Sequence, residues 1–170
     1  MYYRLPPFPP PPPLPLALQG WTDQICFYKL GKRPPRMTLA DLPGYGFAVA
    51  NAKDKKFWKI MTRSYLASRM CLSFACVLVD CTRGLCEDDV DLLKFLQSRK
   101  VPWHIVMTKA DLLSAVELAQ SMLVVQEGLD ALLGTAQSPQ EGPATTFPHI
   151  SPVSASTGAG VAQFWNTLLG

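Results

Sequence analysis

Long apolar runs, histidine and paired cysteine motifs are all scarce in this 170-residue chain, and each scarcity excludes something. No apolar run reaches the roughly 18–20 residues that a bilayer-spanning helix needs. The two histidines, His104 and His149, fall within predicted strands. Neither has a His, Cys or carboxylate at ligand spacing, so both read as core or edge residues. No catalytic triad and no pair of acids suited to general acid–base work is visible. The five cysteines are Cys26, Cys71, Cys76, Cys81 and Cys86. The last four recur every five residues, which matches neither a zinc knuckle nor one helix face. An odd count in this pattern reads as reduced, inert thiols of an intracellular protein. Acidic residues are scarce in the first part: residues 1–69 carry eleven Lys/Arg against three Asp/Glu. Residues 70–170 carry five against ten, so balances of +8 and −5 make up the net +3. A polyanion would meet the first half.

What is present fits one domain with a tail. Hydrophobic residues make up 48% of the chain, enough for a buried core. Eight of the sixteen prolines lie in residues 1–20, with an unbroken run at Pro9–Pro13. Proline lacks an N–H and fixes φ, so residues 1–19 read as a solvated polyproline II tail. Docking of that tail in an SH3-type groove is the alternative. With one arginine and no apolar helix, the tail is neither a signal nor a transit peptide. Residues 20–170 form the domain.

Within it, "ICFYKL" (25–30) and "MTLA" (37–40) predict an antiparallel hairpin around the "GKRPPR" loop. Residues 53–68 predict an amphipathic helix with Phe57, Met61 and Tyr65 on its apolar face. "CLSFACVLVD" (71–80) reads as a parallel strand buried on both faces. A helix follows over 87–99, with acids in its first turn where the helix dipole favours them. A second buried strand is expected over 101–108, and a helix over 114–133 with Leu118, Met122, Val125, Leu129 and Leu132 as its stripe. A third strand over 149–155 carries Pro152, which argues for a place near an edge. A short helix over 159–169 ends the chain. Strands alternating with helices predict an α/β fold, a three-layer, mainly parallel sheet with one antiparallel hairpin and its ligand at the strands' carboxyl ends.

Three segments sit at those ends. In Asp41-Leu42-Pro43-Gly44, an aspartate after a strand can hold Mg²⁺, and a glycine lets a backbone N–H approach a γ-phosphate. A plain strand-to-loop turn gives the same string by chance. In Thr108-Lys109-Ala110-Asp111, a carboxylate can accept both guanine N1–H and the exocyclic amine, a donor pair adenine lacks. The lysine's alkyl stem can lie along the base, and Thr108 can tie neighbouring loops together; Asp111 would also serve as a helix N-cap. In Val153-Ser154-Ala155-Ser156-Thr157-Gly158, the Ala155 N–H can donate to guanine O6, while Ser and Thr here also suit helix capping.

Taken in order and spacing, D-x-x-G, [NT]-K-x-D and S-A-x-T-G resemble the G3, G4 and G5 boxes of the translation-factor class of P-loop GTPases. "DLPGYGFA", the basic aromatic helix after it and "GWTDQICFYKLG" resemble, more narrowly, the EngB-type (YihA) family of GTP-binding proteins. The resemblance covers roughly residues 20–169. It implies guanine-nucleotide binding, with Asp41, Leu42, Pro43, Gly44, Thr108, Lys109, Asp111, Val153, Ser154 and Ala155 contacting nucleotide. It also implies Mg²⁺ held by Thr22 and Asp41, GTP hydrolysis in the family, and links to large-subunit ribosome biogenesis and cell division. The helix lysines Lys53, Lys55, Lys56 and Lys59, with Arg63, become candidate contacts to ribosomal RNA; an ordinary solvated face is the alternative. No membrane partner is implied.

The departures from the family pattern are specific. No G-x-x-x-x-G-K-[ST] loop occurs in the 170 residues: Gly31-Lys32 is followed by Arg33, with Cys26 where the first glycine should stand. The family's first strand, phosphate loop and first helix are therefore expected to be missing. Either the gene extends upstream or splicing has replaced a first exon with the proline-rich leader. Trp21 and Cys26 replace the usual basic residue and asparagine, and Tyr45 stands where many GTPases carry a water-orienting glutamine, a lack the family shares. Charge-assisted hydrogen bonds contribute about 1.5–3 kcal/mol each, so losing about five or six of them weakens nucleotide binding by many orders of magnitude. This chain alone is expected to bind GTP poorly, hydrolyse it negligibly and be marginally stable. A non-enzymatic pseudo-GTPase module binding RNA or a protein partner is the competing expectation. The composition suggests a eukaryotic source, with a mitochondrion or plastid as the full-length protein's setting and the cytoplasm otherwise.

Overall fold

The computed structural model describes residues 24–31, 37–44, 52–134 and 150–169, with the backbone alone at 52–55, 58 and 169. It divides into two compact units, residues 1–62 and 63–170. The proline tail, Thr22, Tyr45 and His149 lie outside the described residues.

In the first unit, β1 (Cys26–Leu30) pairs antiparallel with β2 (Met37–Asp41), from Leu30 opposite Met37 to Cys26 opposite Asp41. This is the expected hairpin, one residue longer at Asp41. Phe27 and Tyr28 are exposed on β1. Helix α1 (Ala52–Ser68) follows, and the division between units falls within it. Its buried line differs from the predicted one. Thr62 and Leu66 are buried, whereas Phe57 is 61% exposed. A run this rich in aromatics offers more than one apolar stripe, and packing selects among them.

The second unit is a parallel sheet with helices. Strand β3 (Ala75–Asp80) pairs with β4 (Trp103–Thr108), and β4 with β5 (Ile150–Pro152), in the order β3-β4-β5. The connections carry α2 (Glu87–Ser98) and α3 (Ala115–Leu133), and α4 (Val161–Leu169) ends the chain. The order predicted from the sequence is present throughout. Residues 71–74 stay outside β3, which begins only where the Ala75 N–H meets the Pro102 carbonyl. Pro152 does sit on an edge strand among the described residues.

Burial explains which face carries the core. Val77 and Val79 of β3 lie beside Ile105 and Met107 of β4 in register, and all four are buried. Leu93 and Leu96 of α2 and Val125 and Leu129 of α3 are also fully buried. Each such side chain contributes about 1.5–3 kcal/mol by leaving water. The other face is covered unevenly. His104 of β4 stacks at 5.8 Å on Phe164 of α4 and meets Ser151 Oγ at 3.0 Å. On that same face, Cys76 and Leu78 of β3 are exposed, Leu78 by 63%. The expectation that β3 is buried on both faces therefore fails: an apolar run marks a strand but not how many of its faces are covered.

Helix starts are set by side-chain chemistry. Ser114 caps α3, its hydroxyl accepting from the Glu117 N–H while Glu117 accepts from the Ser114 N–H. Asp89 plays the reciprocal part at α2, accepting from the Cys86 N–H at 2.9 Å. All five cysteines are free thiols. Burial pushes the Cys81 thiol up, helped by the Asp80 charge. Burial and the Asp89 hydrogen bond do the same at Cys86, as inert thiols require.

One glycine is required by close approach. Gly160 has φ +74°, and a Cβ there would overlap the Pro152 carbonyl oxygen. Gly160→Ala is therefore expected to destabilise the second unit by about 3 kcal/mol, which lowers the melting midpoint by several degrees. Calorimetry or circular dichroism melts check this, with Gly44→Ala as the control because an added Cβ there meets nothing within 4 Å.

Candidate nucleotide site

The carboxyl ends of β3, β4 and β5 lie side by side because the three strands are parallel and in register, Asp80 opposite Thr108. Everything in this site follows from the loops that leave those three ends. After β4, Thr108 donates its hydroxyl to the Val79 carbonyl at 3.3 Å, and the Thr108 carbonyl accepts from the Cys81 N–H at 3.0 Å. These bonds join the β3 and β4 ends, the tying role expected of Thr108.

Lys109 then adopts φ 60°, ψ 34°, a left-handed conformation that a side chain rarely takes. The reversal sends Ala110–Leu112 into a single 3₁₀ turn. The Ala110 N–H reaches across to the Val153 carbonyl at 3.1 Å, so the β4 and β5 loops are clasped together. Asp111 sits exposed in that turn. The capping alternative for Asp111 is removed, since Ser114 caps the helix instead. Among the described residues, no hydrogen bond or ion pair engages the Asp111 carboxylate.

After β5, the Val153 N–H continues the ladder to the Met107 carbonyl at 2.8 Å. Ser154 is fully buried and serves the loop itself. Its N–H donates to the Ala159 carbonyl at 2.9 Å, its hydroxyl accepts from the Thr157 N–H at 3.1 Å, and its carbonyl accepts from the Gly158 N–H at 2.9 Å. Thr157 accepts in turn from the Ala159 N–H at 3.3 Å. The Ser and Thr hydroxyls are thus loop builders: these two bonds serve N–H groups of the loop ahead of α4 and do not cap that helix as expected. The Ala155 N–H, exposed beside them, donates no hydrogen bond among the described residues. The Asp111 carboxylate and the Ala155 N–H, neither engaged among the described residues, are thus carried on loops that are bonded to each other.

Sequence reasoning passed over Asp80 and Thr82. Asp80 ends β3, with its Oδ2 2.6 Å from the Lys109 ammonium. Its Oδ1 accepts from the Thr82 N–H at 2.9 Å and the Thr82 hydroxyl at 2.7 Å. Burial alone would raise this carboxyl. The hydrogen bonds from Lys109 and Thr82 overcome that and hold it at about 2, below its ordinary 3.8. The signal was available in "VDCTRG": an Asp at a strand end with a Thr two residues on is an Asx-turn pattern.

The remaining expected residues belong to the first unit or to α1. Asp41 ends β2 with its side chain exposed and no partner among the described residues, while Pro43 is buried. Gly44 has open space around it, so packing does not demand a glycine there. A hard cation such as Mg²⁺ takes one or two carboxylates together with water and phosphate oxygens, and Asp41 is a donor of that type. Thr22 lies outside the described residues, as do the side chains of Lys53 and Lys55. Lys56 is exposed and Lys59 half-buried on α1. The Arg63 guanidinium lies 5.3 Å from the Phe95 ring centre and 3.9 Å from the Asp91 carboxylate.

Residues 17–170 match the family model of the elongation factor Tu GTP binding domain. A curated relative from Solibacter usitatus, a probable GTP-binding protein EngB, is 32% identical over 150 residues, covering 88% of this chain and 67% of its own length. The chain spans between 58% and 67% of the length of the curated relatives it matches. Among solved structures, a probable GTP-binding protein EngB superposes with a TM-score of 0.64 at 17% identity, over 87% of this chain and 82% of that one. Era, crystallised with MgGDPNP and nucleotides 1506–1542 of 16S ribosomal RNA, superposes with 0.63 at 17%, over 88% and 45%. At these identities the structures show a shared fold.

The Asp80 carboxyl gives a pH signature. Its folded value is depressed, so its contribution to stability is present above the ordinary 3.8 and is lost as pH falls towards 2. Asp80→Asn is expected to flatten the fall in stability between about pH 4 and pH 2, measured by urea unfolding at each pH.

Proposed function

We propose that this chain, which belongs to the EngB family of GTP-binding proteins, recognises the guanine base through Asp111 and the Ala155 N–H. The observation that carries the reading is the Ala110-to-Val153 hydrogen bond, which clasps the two loops, with no bond to either group among the described residues. A carboxylate facing N1–H and the exocyclic amine, with an amide N–H beside it for O6, complements guanine and rejects adenine. Lys109 supplies a flank for the base plane, and Thr108, Val153 and Ser154 hold the loops. Asp41 and Thr22 would hold Mg²⁺, which supplies charge neutralisation at the phosphates, and Gly44 would let its backbone approach the terminal phosphate.

The 170 residues contain no phosphate-cradling G-x-x-x-x-G-K-[ST]. Without that nest of N–H groups and its lysine, the phosphates lose most of their charge-assisted bonds, so affinity for GTP and GDP is low and turnover negligible. The same observation favours a second reading, a pseudo-GTPase that holds a partner without nucleotide. In either case the basic sequence of α1, with Lys53, Lys55, Lys56 and Lys59, suits ribosomal RNA, and the family resemblance directs that contact to ribosome large-subunit assembly linked to cell division. Era, of the same fold, is crystallised with a segment of 16S ribosomal RNA, which supports contact with ribosomal RNA as such and does not bear on the subunit. Arg63, which lies beside Phe95 and forms an exposed pair with Asp91, stays a candidate for the same contact. Free thiols suit an intracellular setting, a mitochondrion or plastid included.

Calorimetric titration of the purified chain with GDP is expected to give a dissociation constant well above micromolar; micromolar or tighter binding overturns the low-affinity reading. Asp111→Asn replaces one acceptor by a donor, so preference should move from guanosine towards xanthosine, whose C2 bears a carbonyl. Competition between the two nucleosides measures that shift. For RNA, four lysine–phosphate contacts predict a slope of about −3 in log affinity against log salt. Filter binding of a ribosomal RNA fragment from 50 to 300 mM salt tests it, and a flat dependence places the contact elsewhere.

A further inference from the structure

Asp80 is used by no part of the recognition described above, yet it is the most heavily engaged side chain at the strand ends. Both its oxygens are occupied, Oδ1 by the Thr82 N–H and hydroxyl, Oδ2 by the Lys109 ammonium at 2.6 Å. Lys109 is also fixed at its other end. Its backbone is set by the left-handed turn, by the hydrogen bonds of Thr108 and by the Ala110-to-Val153 clasp. A lysine held at both ends has less rotational freedom left in its four methylenes than one with a loose ammonium. That stem is not buried: the Lys109 side chain is 59% exposed, against 18% for Asp80.

Exposed ion pairs are normally weak, because two long side chains must be ordered to make them. Here only one is long. Asp80 is already held by Thr82, so the ordering cost falls on Lys109 alone. The result is an exposed stem of four methylenes, tethered at its ammonium, on the residue two before Asp111.

We propose that Asp80 is the positioning residue for the base platform: it anchors the Lys109 ammonium so that the lysine stem stands as a preformed wall for the face of a purine. The proposal rests on the reading that Asp111 recognises the guanine edge. The two roles separate cleanly. A wall meets the face of any purine, whereas Asp111 meets an edge that only guanine presents. Removing the anchor leaves the stem free to rotate, and binding must then order it.

The test uses the whole 170-residue chain with guanosine and adenosine as probes, titrated by saturation-transfer NMR, so that phosphate contacts play no part. Asp80→Asn keeps an acceptor for Thr82 but removes the charge. It is expected to weaken both nucleosides by the same factor, about three- to tenfold, leaving their ratio unchanged. Asp80→Glu, which restores the anion, should recover most of the loss. In a Lys109→Met background the stem remains but needs no anion, so adding Asp80→Asn should change nothing further.

A merely structural Asp80 would lower affinity equally in the Lys109 and Met backgrounds, and that result overturns the proposal. Unchanged guanosine affinity in Asp80→Asn does so as well. If the wild type binds both nucleosides without preference while Asp80→Asn still weakens both, the guanine reading falls and the positioning role stands. If the wild type binds neither, both fall.

Discussion

The hydrogen bond from the Ala110 N–H to the Val153 carbonyl is the constraint that ties the loops leaving β4 and β5 to each other. It exists because β4 and β5 are parallel and in register, so their outgoing loops leave from the same end of the sheet. It also requires Lys109 to turn left-handed, at a cost on the order of 1–3 kcal/mol for a residue with a side chain. Such a cost is tolerated where the surroundings fix it, and here the Thr108, Val153 and Asp80 contacts do so. The reversal places Asp111 in a 3₁₀ turn ahead of α3 instead of at its cap, and no bond engages its carboxylate among the described residues.

Polar groups at the strand ends divide into builders and presenters. Thr108, Ser154 and Thr157 spend their hydroxyls on neighbouring backbone, which lets exposed loops keep one shape. Asp111 and the Ala155 N–H are left over. Asp80 lies between these classes, bonded through one oxygen to Thr82 and through the other to the Lys109 ammonium. The sheet beneath is less complete than its apolar sequence implies. Its Val77, Val79, Ile105, Met107 face is buried, while on the other Leu78 stands in solvent and Cys76 is only partly covered, enough that burial pushes its thiol up to about 11.

Much of this was legible beforehand because it is local. The hairpin, the alternation of strand and helix and the edge position of Pro152 follow from period, proline and turn chemistry. The Thr108–Asp111 and Ser154–Gly158 segments were found from order and spacing. The misreadings have a common cause. The stripe of α1 and the second face of β3 depend on which surfaces are covered, and hydrophobicity records a capacity for burial without naming the cover. Asp80 was missed because its partner lies 29 residues away, and a lone aspartate at a strand end looks like any turn residue.

The amino-acid sequence by itself determined the element types, the thiol chemistry, the charge asymmetry and the family, since these rest on residue identity at short range. Only the tertiary structure decided the use of each polar group. It assigned Ser114 to the cap and freed Asp111, set Arg63 beside Phe95 and Asp91, and joined Asp80 to Lys109. Hydrogen bonds and ion pairs act over about 3–4 Å, a distance fixed by the parallel register of strands that lie tens of residues apart in the chain.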